Sequence, residues 1–175
     1  MRLIGKNIIL KALDLDDKKL KTLQRWLGDE EVVRHGGFVK TMPQSIKHIK
    51  SYLEKLQDSS DVRLFGIFFK NGSYIGNIRL DIEWIWRIGT ISLLLGAKSY
   101  WGRGHGTEAI RLISDFGFNT LGLHKIEAGI LDGNVGSLRA FEKAGFEVEG
   151  KKKHNRFSMG QYVDVILVGK NNASR

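Results

Sequence analysis

The chain predicts an α/β (α+β) fold: one domain with a mixed central sheet of about seven strands and about four helices beside it. Three observations predict it. Short runs rich in Val, Ile, Phe and Tyr alternate with longer segments whose apolar residues recur at helical spacing. Their order is a strand, two helices, three strands, a glycine-rich turn, a helix, a strand, a helix and a closing pair of strands. No repeat, low-complexity stretch or Pro-rich tether divides the chain, whose single proline is Pro43.

Residues 7–12, Asn7 to Ala12, read as the first strand. Asp14 or Asp16 then starts a helix that carries Leu15, Leu20, Leu23, Trp26 and Leu27 on one side and stops at Gly28. Thr41-Met42-Pro43-Gln44 has the form of a capping box for a second helix bearing Ile46, Ile49, Leu53 and Leu56. A polar loop with His35 and Phe38 separates the two helices. Val62 to Phe69 and Tyr74 to Leu80 form a hairpin around Asn71-Gly72, a type I′ signal. Asp81 to Arg87 reads as a turn and its flanks, and Ile88 to Leu95 as the next strand. A helix with Ala109, Ile113 and Phe116 on one face follows, then a strand from His124 to Leu131. The next helix opens at Gly133 to Ser137 and ends at Gly145, which supplies the left-handed C′ position. Phe146 to Lys152 and Tyr162 to Gly169 close the sheet. The domain is expected over 1–170, with 171–175 as a frayed tail.

A length of 175 residues with 42% hydrophobic and 27% charged residues suits one soluble domain. No apolar run is long enough for a bilayer, and Met1 to Lys6 has no signal-peptide core, so a cytoplasmic enzyme or binding protein is expected, with no membrane partner. The absence of cysteine excludes disulfides, thiolate metal sites and cysteine nucleophiles, and no metal is expected. The net charge of +9 suits a polyanionic small ligand. Its densest group, Lys151-Lys152-Lys153-His154, reads as a solvated strand end, and without a nucleic-acid motif no nucleic-acid partner is expected.

The richest segment is Trp101-Gly102-Arg103-Gly104-His105-Gly106-Thr107-Glu108-Ala109, between an apolar strand and a helix. A glycine turn at a helix start presents main-chain N–H groups to an anion, and the helix dipole adds positive potential. The same residues also suit a plain tight turn with a helix cap. The segment lacks the Gly-Lys-Ser/Thr ending of a Walker loop, and its glycines are spaced G-x-G-x-G, unlike the dinucleotide fingerprint.

The order of elements, the segment from Tyr100 to Ala109, and the segment Asn134-Val135-Gly136-Ser137-Leu138-Arg139-Ala140-Phe141-Glu142-Lys143-Ala144-Gly145-Phe146 together resemble the GNAT superfamily of N-acetyltransferases. The nearest branch is the one acting on ribosomal-protein N-termini, polyamines and amino sugars. The resemblance implies a sheet splayed between its fourth and fifth strands and acetyl-CoA as co-substrate. It implies direct acetyl transfer to a primary amine on a small molecule or peptide. Trp101, Gly102, Arg103, Gly104, His105, Gly106 and Thr107 would then hold the pyrophosphate. Leu93, Leu94 and Leu95 would bond the pantetheine arm like an added strand, with a backbone N–H near Leu94 polarising the thioester carbonyl. Asn134, Ser137 and Phe141 would complete the cofactor site.

Three departures from the family pattern matter. Trp101 stands where Gln or Arg is usual, Phe141 where many members have an acid Tyr, and Thr90 near the place of a common Glu. Ser137 is therefore the candidate acid toward the departing sulfur. Glu83, with Asp81 nearby, is the candidate base for the acceptor ammonium. His35, Trp84 and Tyr162 are candidate acceptor contacts, beside Trp86. The missing Tyr and Glu leave a non-catalytic acyl-CoA-binding sensor as the alternative. The exposed C-terminal hairpin leaves a homodimer open.

Overall fold

The computed structural model describes residues 1–34, 45–158 and 160–173. One eight-stranded sheet runs through them: β1 (Arg2–Ile4), β2 (Ile8–Lys11), β3 (Val62–Phe69), β4 (Tyr74–Glu83), β5 (Ile88–Leu95), β6 (Lys125–Leu131), β7 (Glu147–Ser158) and β8 (Gln161–Asn171). The spatial order is β1-β2-β3-β4-β5-β6-β8-β7. Neighbours are antiparallel except β5 and β6. The helices are α1 (Asp17–Gly28), α2 (Glu30–Val33), α3 (Ile46–Asp58), α4 (His105–Asn119) and α5 (Val135–Lys143), with a 3₁₀ turn at Lys98–Tyr100.

The alternation of side chains along β3 and β5 divides the interior in two. Phe65, Ile67 and Ile91 join Ile110 and Ile113 of α4 on one face. Leu64, Phe68 and Leu94 join Leu23 and Trp26 of α1 and Leu53 of α3 on the other. Each face thus has its own apolar layer, as a two-sided sheet requires. In β4 the register shifts opposite Ile67 and Phe68. Across this irregularity Tyr74 and Asn77 turn to the same side, and the Tyr74 hydroxyl donates to Asn77 Oδ1 at 2.7 Å. Burial, only partly offset by that bond, raises the Tyr74 pKa.

The helix starts follow local chemistry. Asp16 Oδ1 accepts from Lys19 N at 2.8 Å, and Ser45 Oγ from His48 N at 3.3 Å. Ser45 is thus the N-cap of α3; the expected cap at Thr41 lies outside the described residues. Asn134 Oδ1 accepts from Ser137 N at 3.1 Å. The start of α4 has no side-chain cap. That helix is fixed from the opposite edge of the sheet instead. Glu108 accepts from Asn7 N at 2.7 Å, Asn7 Nδ2 at 3.0 Å and Ile8 N at 3.3 Å.

Several expectations need correction. The short edge strand β1 precedes the run read as the first strand, because Gly5 N donates to the Ile8 carbonyl and closes a tight hairpin. Asp81 to Glu83 belong to β4, paired with Thr90 to Ile88, so the turn spans only 84–87. Residues 30–33 form a one-turn helix capped by Asp29, within what read as loop. The closing strands run further than alternation suggested. Lys151 to Lys153 lie inside β7, and Lys151 pairs with Asp132 at 2.8 Å and Asp164 at 3.0 Å. The tail is also tied down at its start. Asn171 ends β8, and Asn172 is buried, donating from N to His124 O at 2.9 Å and from Nδ2 to Leu123 O at 3.2 Å.

Candidate functional site

Strands β5 and β6 pair only at Ile88–Lys125, Gly89–Ile126 and Thr90–Glu127, and then part. Beyond Thr90, β5 keeps β4 on one side, and β6 keeps β8 on its far side. Among the described residues, the facing main-chain groups along Ile91 to Leu94 therefore have no ladder partner. A cleft of about 360 Å³ opens in this splay. Ile91 to Leu94 and Ala128 to Leu131 form its walls, α1 and α3 close one side, and Asn134, Ser137 and Phe141 of the α5 start border the other. This is the splay expected between the fourth and fifth strands, one number higher because β1 precedes them.

The glycine segment adjoins the cleft. A side chain on Gly106 would lie 3.6 Å from Leu93 Cδ2 and 4.0 Å from Ala140 Cβ. The segment thus sits between β5 and α5. Gly102 (φ 70°) and Gly104 (φ 83°) take left-handed backbone and face open space, whereas Gly106 is an ordinary helical residue. Among the described residues, none accepts a hydrogen bond from the N–H groups of residues 102–107. Six donors at an uncapped helix start form a cradle for an anion, and the residues present fit a diphosphate.

Two side chains of this segment do structural work. The Trp101 indole N–H donates to the Leu95 carbonyl at 2.7 Å and locks the turn to the end of β5. That gives the ring at this position a structural role. The His105 imidazole is 6% exposed and packs edge-on to Phe69 and tilted to Tyr100, at centroid distances of 5.4 and 5.8 Å. Its ring faces inward, so of the expected phosphate contact by His105 only the main-chain N–H remains. Arg103 remains exposed beside the cradle.

Near the cleft, Asn134 uses its side-chain oxygen as the α5 cap, and its amide NH₂ has no partner among the described residues. Ser137 borders the cleft, and its hydroxyl has no partner among the described residues. Phe141 is 3% exposed and packs edge-on to Phe146 at 5.1 Å. It forms an apolar wall.

The expected base and acceptor contacts fare differently. Glu83 is exposed at the last position of β4 and does not border the cleft. Asp81, two residues nearer, stands opposite Thr90, which does. Burial raises the Asp81 pKa, and Arg79, whose Nε donates to Asp81 Oδ2 at 2.9 Å, only partly offsets it. Trp84 sits in the β4–β5 turn with the Arg63 guanidinium 5.9 Å from its ring centroid. Tyr162 is 66% exposed and packs on Phe157 at 5.3 Å. Neither Trp84 nor Tyr162 reaches the cleft, because both lie on hairpin ends beyond the splay. His35 lies outside the described residues.

Sequence reading missed Tyr52, Asn77, Arg79 and Arg156, which border the cleft. Arg79 Nη1 donates to the Tyr52 hydroxyl at 2.8 Å. The available signal was a polar residue at every second position of an apolar strand, Asn77, Arg79 and Asp81 between Gly76, Ile78, Leu80 and Ile82. Among the described residues, no group of three His, Asp or Glu side chains could hold a metal ion, and no helix is long and apolar enough to cross a membrane.

A family model for the acetyltransferase (GNAT) domain matches residues 7–147. The probable N-acetyltransferase YjcK of Bacillus subtilis (strain 168) is 33% identical over 158 residues, 86% of each chain. The spermidine N(1)-acetyltransferase of Escherichia coli (strain K12) is 29% identical over 116 residues, 66% of this chain and 61% of that one. In fold, the spermidine N-acetyltransferase from Vibrio cholerae, solved in complex with CoA and spermine, superposes with a TM-score of 0.85 at 21% identity. That match covers 97% of this chain and 98% of the other. The chain belongs to the GNAT acetyltransferase family. It is an acetyl-CoA-dependent N-acetyltransferase, and the alternative of a non-catalytic sensor finds no support.

Proposed function

We propose that this chain acetylates a primary amine, carried on a small molecule or a peptide, within the splay between β5 and β6. The observation that carries the reading is the unpartnered row of N–H groups at 102–107 opening onto a cleft with a free strand edge. The co-substrate supplies a thioester whose C–S bond breaks as the acceptor's N–C bond forms. The N–H groups of residues 102–107 hold its diphosphate. The open edge at Leu93 and Leu94 holds the pantetheine arm as an added strand, and the free Asn134 amide bonds it from the other side. A backbone N–H near Leu94 stabilises negative charge developing on the carbonyl oxygen. The Ser137 hydroxyl donates toward the departing sulfur. Asp81 takes the ammonium proton, directly or through water, a task its raised pKa suits better than exposed Glu83.

The reading includes a single domain over 1–170, a cytoplasmic setting, and pairing of two copies as a homodimer at the outer strand β7. Calorimetric titration with acetyl-CoA, followed by free-thiol release with a panel of amines, tests the central claim. Saturable binding that Gly104→Ala weakens, with an unchanged circular-dichroism spectrum, is expected, since alanine at φ 83° costs about 1–2 kcal/mol. No heat with folded protein would end the reading.

A further inference from the structure

The charge bordering the cleft has one sign. Among the described residues lining it, the ionisable side chains are Arg79, Arg156 and the phenol of Tyr52, and none is a carboxylate. Arg79 is bound to Asp81 and Tyr52. Arg156 makes no ion pair among the described residues, and its Nη1 donates only to the neutral Asn155, at 3.1 Å to the carbonyl and 2.9 Å to Oδ1. Its guanidinium therefore keeps a full, uncompensated charge.

Register places that charge on the acceptor side. Arg156 stands opposite Val163. Val163 shares a face with Val165, which borders the cleft beside its β6 partner Leu131. Near the end of this hairpin the Ser158 hydroxyl donates to the Arg34 carbonyl at 3.3 Å, so the hairpin spans the mouth to the end of α2. Between Lys152 and Arg156 the register of this hairpin shifts, and His154 there has φ 47°, a local break in the pairing. The diphosphate cradle belongs to α4, which packs on the other face of the sheet. The segment 35–44 follows Arg34 and contributes His35 and Lys40 to the sequence, but no Asp or Glu. The acids of α2 and its cap lie a turn earlier: Asp29 and Glu31 are both held by Lys98, at 2.8 and 2.9 Å, and Glu30 is exposed with no ion pair among the described residues.

Resting on the transferase reading above, we infer that the acceptor is a small primary amine that also carries an anionic group, a carboxylate or a phosphate, received by Arg156. A guanidinium binds either anion through paired N–H donors. A polyamine would instead bring two or more ammonium groups against two guanidiniums, with Asp81, already bound to Arg79, as the one carboxylate assigned to the acceptor, which disfavours it electrostatically.

The test uses the full chain with saturating acetyl-CoA and free-thiol release. The acceptors are glutamate and glycylaspartate (carboxylates), glucosamine 6-phosphate (phosphate), glucosamine (no anion) and spermidine (polycation). The anionic amines are expected to exceed glucosamine and spermidine in kcat/KM by about tenfold or more. Whichever of the two anionic arms is faster identifies the source of the anion. Arg156→Gln is expected to raise KM for the preferred anionic amine about tenfold while KM for acetyl-CoA stays constant. Arg156→Glu is expected to narrow or invert the preference over spermidine. Arg156 is exposed, so neither change threatens folding. Spermidine as the preferred acceptor of the wild type, or an anionic-amine KM unmoved by Arg156→Gln, overturns the inference and leaves the transferase standing. Acetyl-CoA binding without turnover of any amine overturns the transferase reading and this inference with it.

Discussion

Ser137 shows how one residue carries two duties through separate atoms. Its N–H closes the α5 cap on Asn134, and its hydroxyl stays free at the cleft. Ser137→Ala keeps the cap and removes only the hydroxyl. The expected outcome is a fall in kcat of about a hundredfold with KM for acetyl-CoA little changed, measured by steady-state thiol release. An unchanged kcat would remove Ser137 from the chemistry. At this scale the sequence was legible where a residue's role is local. The glycine turn before α4 and the opening of α5 at Gly133 to Ser137 follow from spacing alone. Glu83 was misplaced because its distance from the splay depends on where β4 ends, and a terminal turn, Trp84 to Arg87, hides that boundary. Arg156 was invisible because its place depends on how far the closing hairpin overshoots β6, a length that alternation does not encode.

Among the elements, α4 has an unusual division of labour. Its N-terminus lacks a side-chain cap, so its donors remain for a ligand, and Glu108 one turn in anchors it to β2. Burial pushes the Glu108 pKa up, but the hydrogen bonds from Asn7 N, Asn7 Nδ2 and Ile8 N outweigh it, and the net pKa is lowered. A carboxyl whose folded pKa is depressed adds stability above its unfolded pKa, near 4.5, and that stability is lost as pH falls through the folded value. Glu108→Gln is expected to destabilise by about 1–3 kcal/mol at neutral pH, since three N–H donors lose a charged acceptor. Urea melts should show the gap between wild type and variant shrinking below about pH 4. A pH-independent gap would mean that packing, rather than charge, holds the helix. The partners of Glu108 are about 100 residues away in the chain, and no local pattern reports them.

For the whole molecule, the order of strands and helices was readable because each element carries its own period and its own stop signals. The small β1 escaped because three residues hold no period. The cleft was readable only by resemblance, since the parting of β5 and β6 leaves no mark in either strand's alternation. Ligand should act on the molecule as a unit. Acetyl-CoA at about 100 times its Kd is expected to stabilise the fold by about 2.7 kcal/mol, a rise in Tm of about 5–10 °C for a chain of this size. A melting temperature indifferent to acetyl-CoA would contradict the site.

On the proposed reading, the divergence after Thr90 leaves this sheet to be finished by a molecule that is not protein. With the channel filled, the donor molecule becomes an inserted rung bridging two halves of the molecule. Catalysis and architecture then share one component, and each turnover removes and restores a piece of the scaffold.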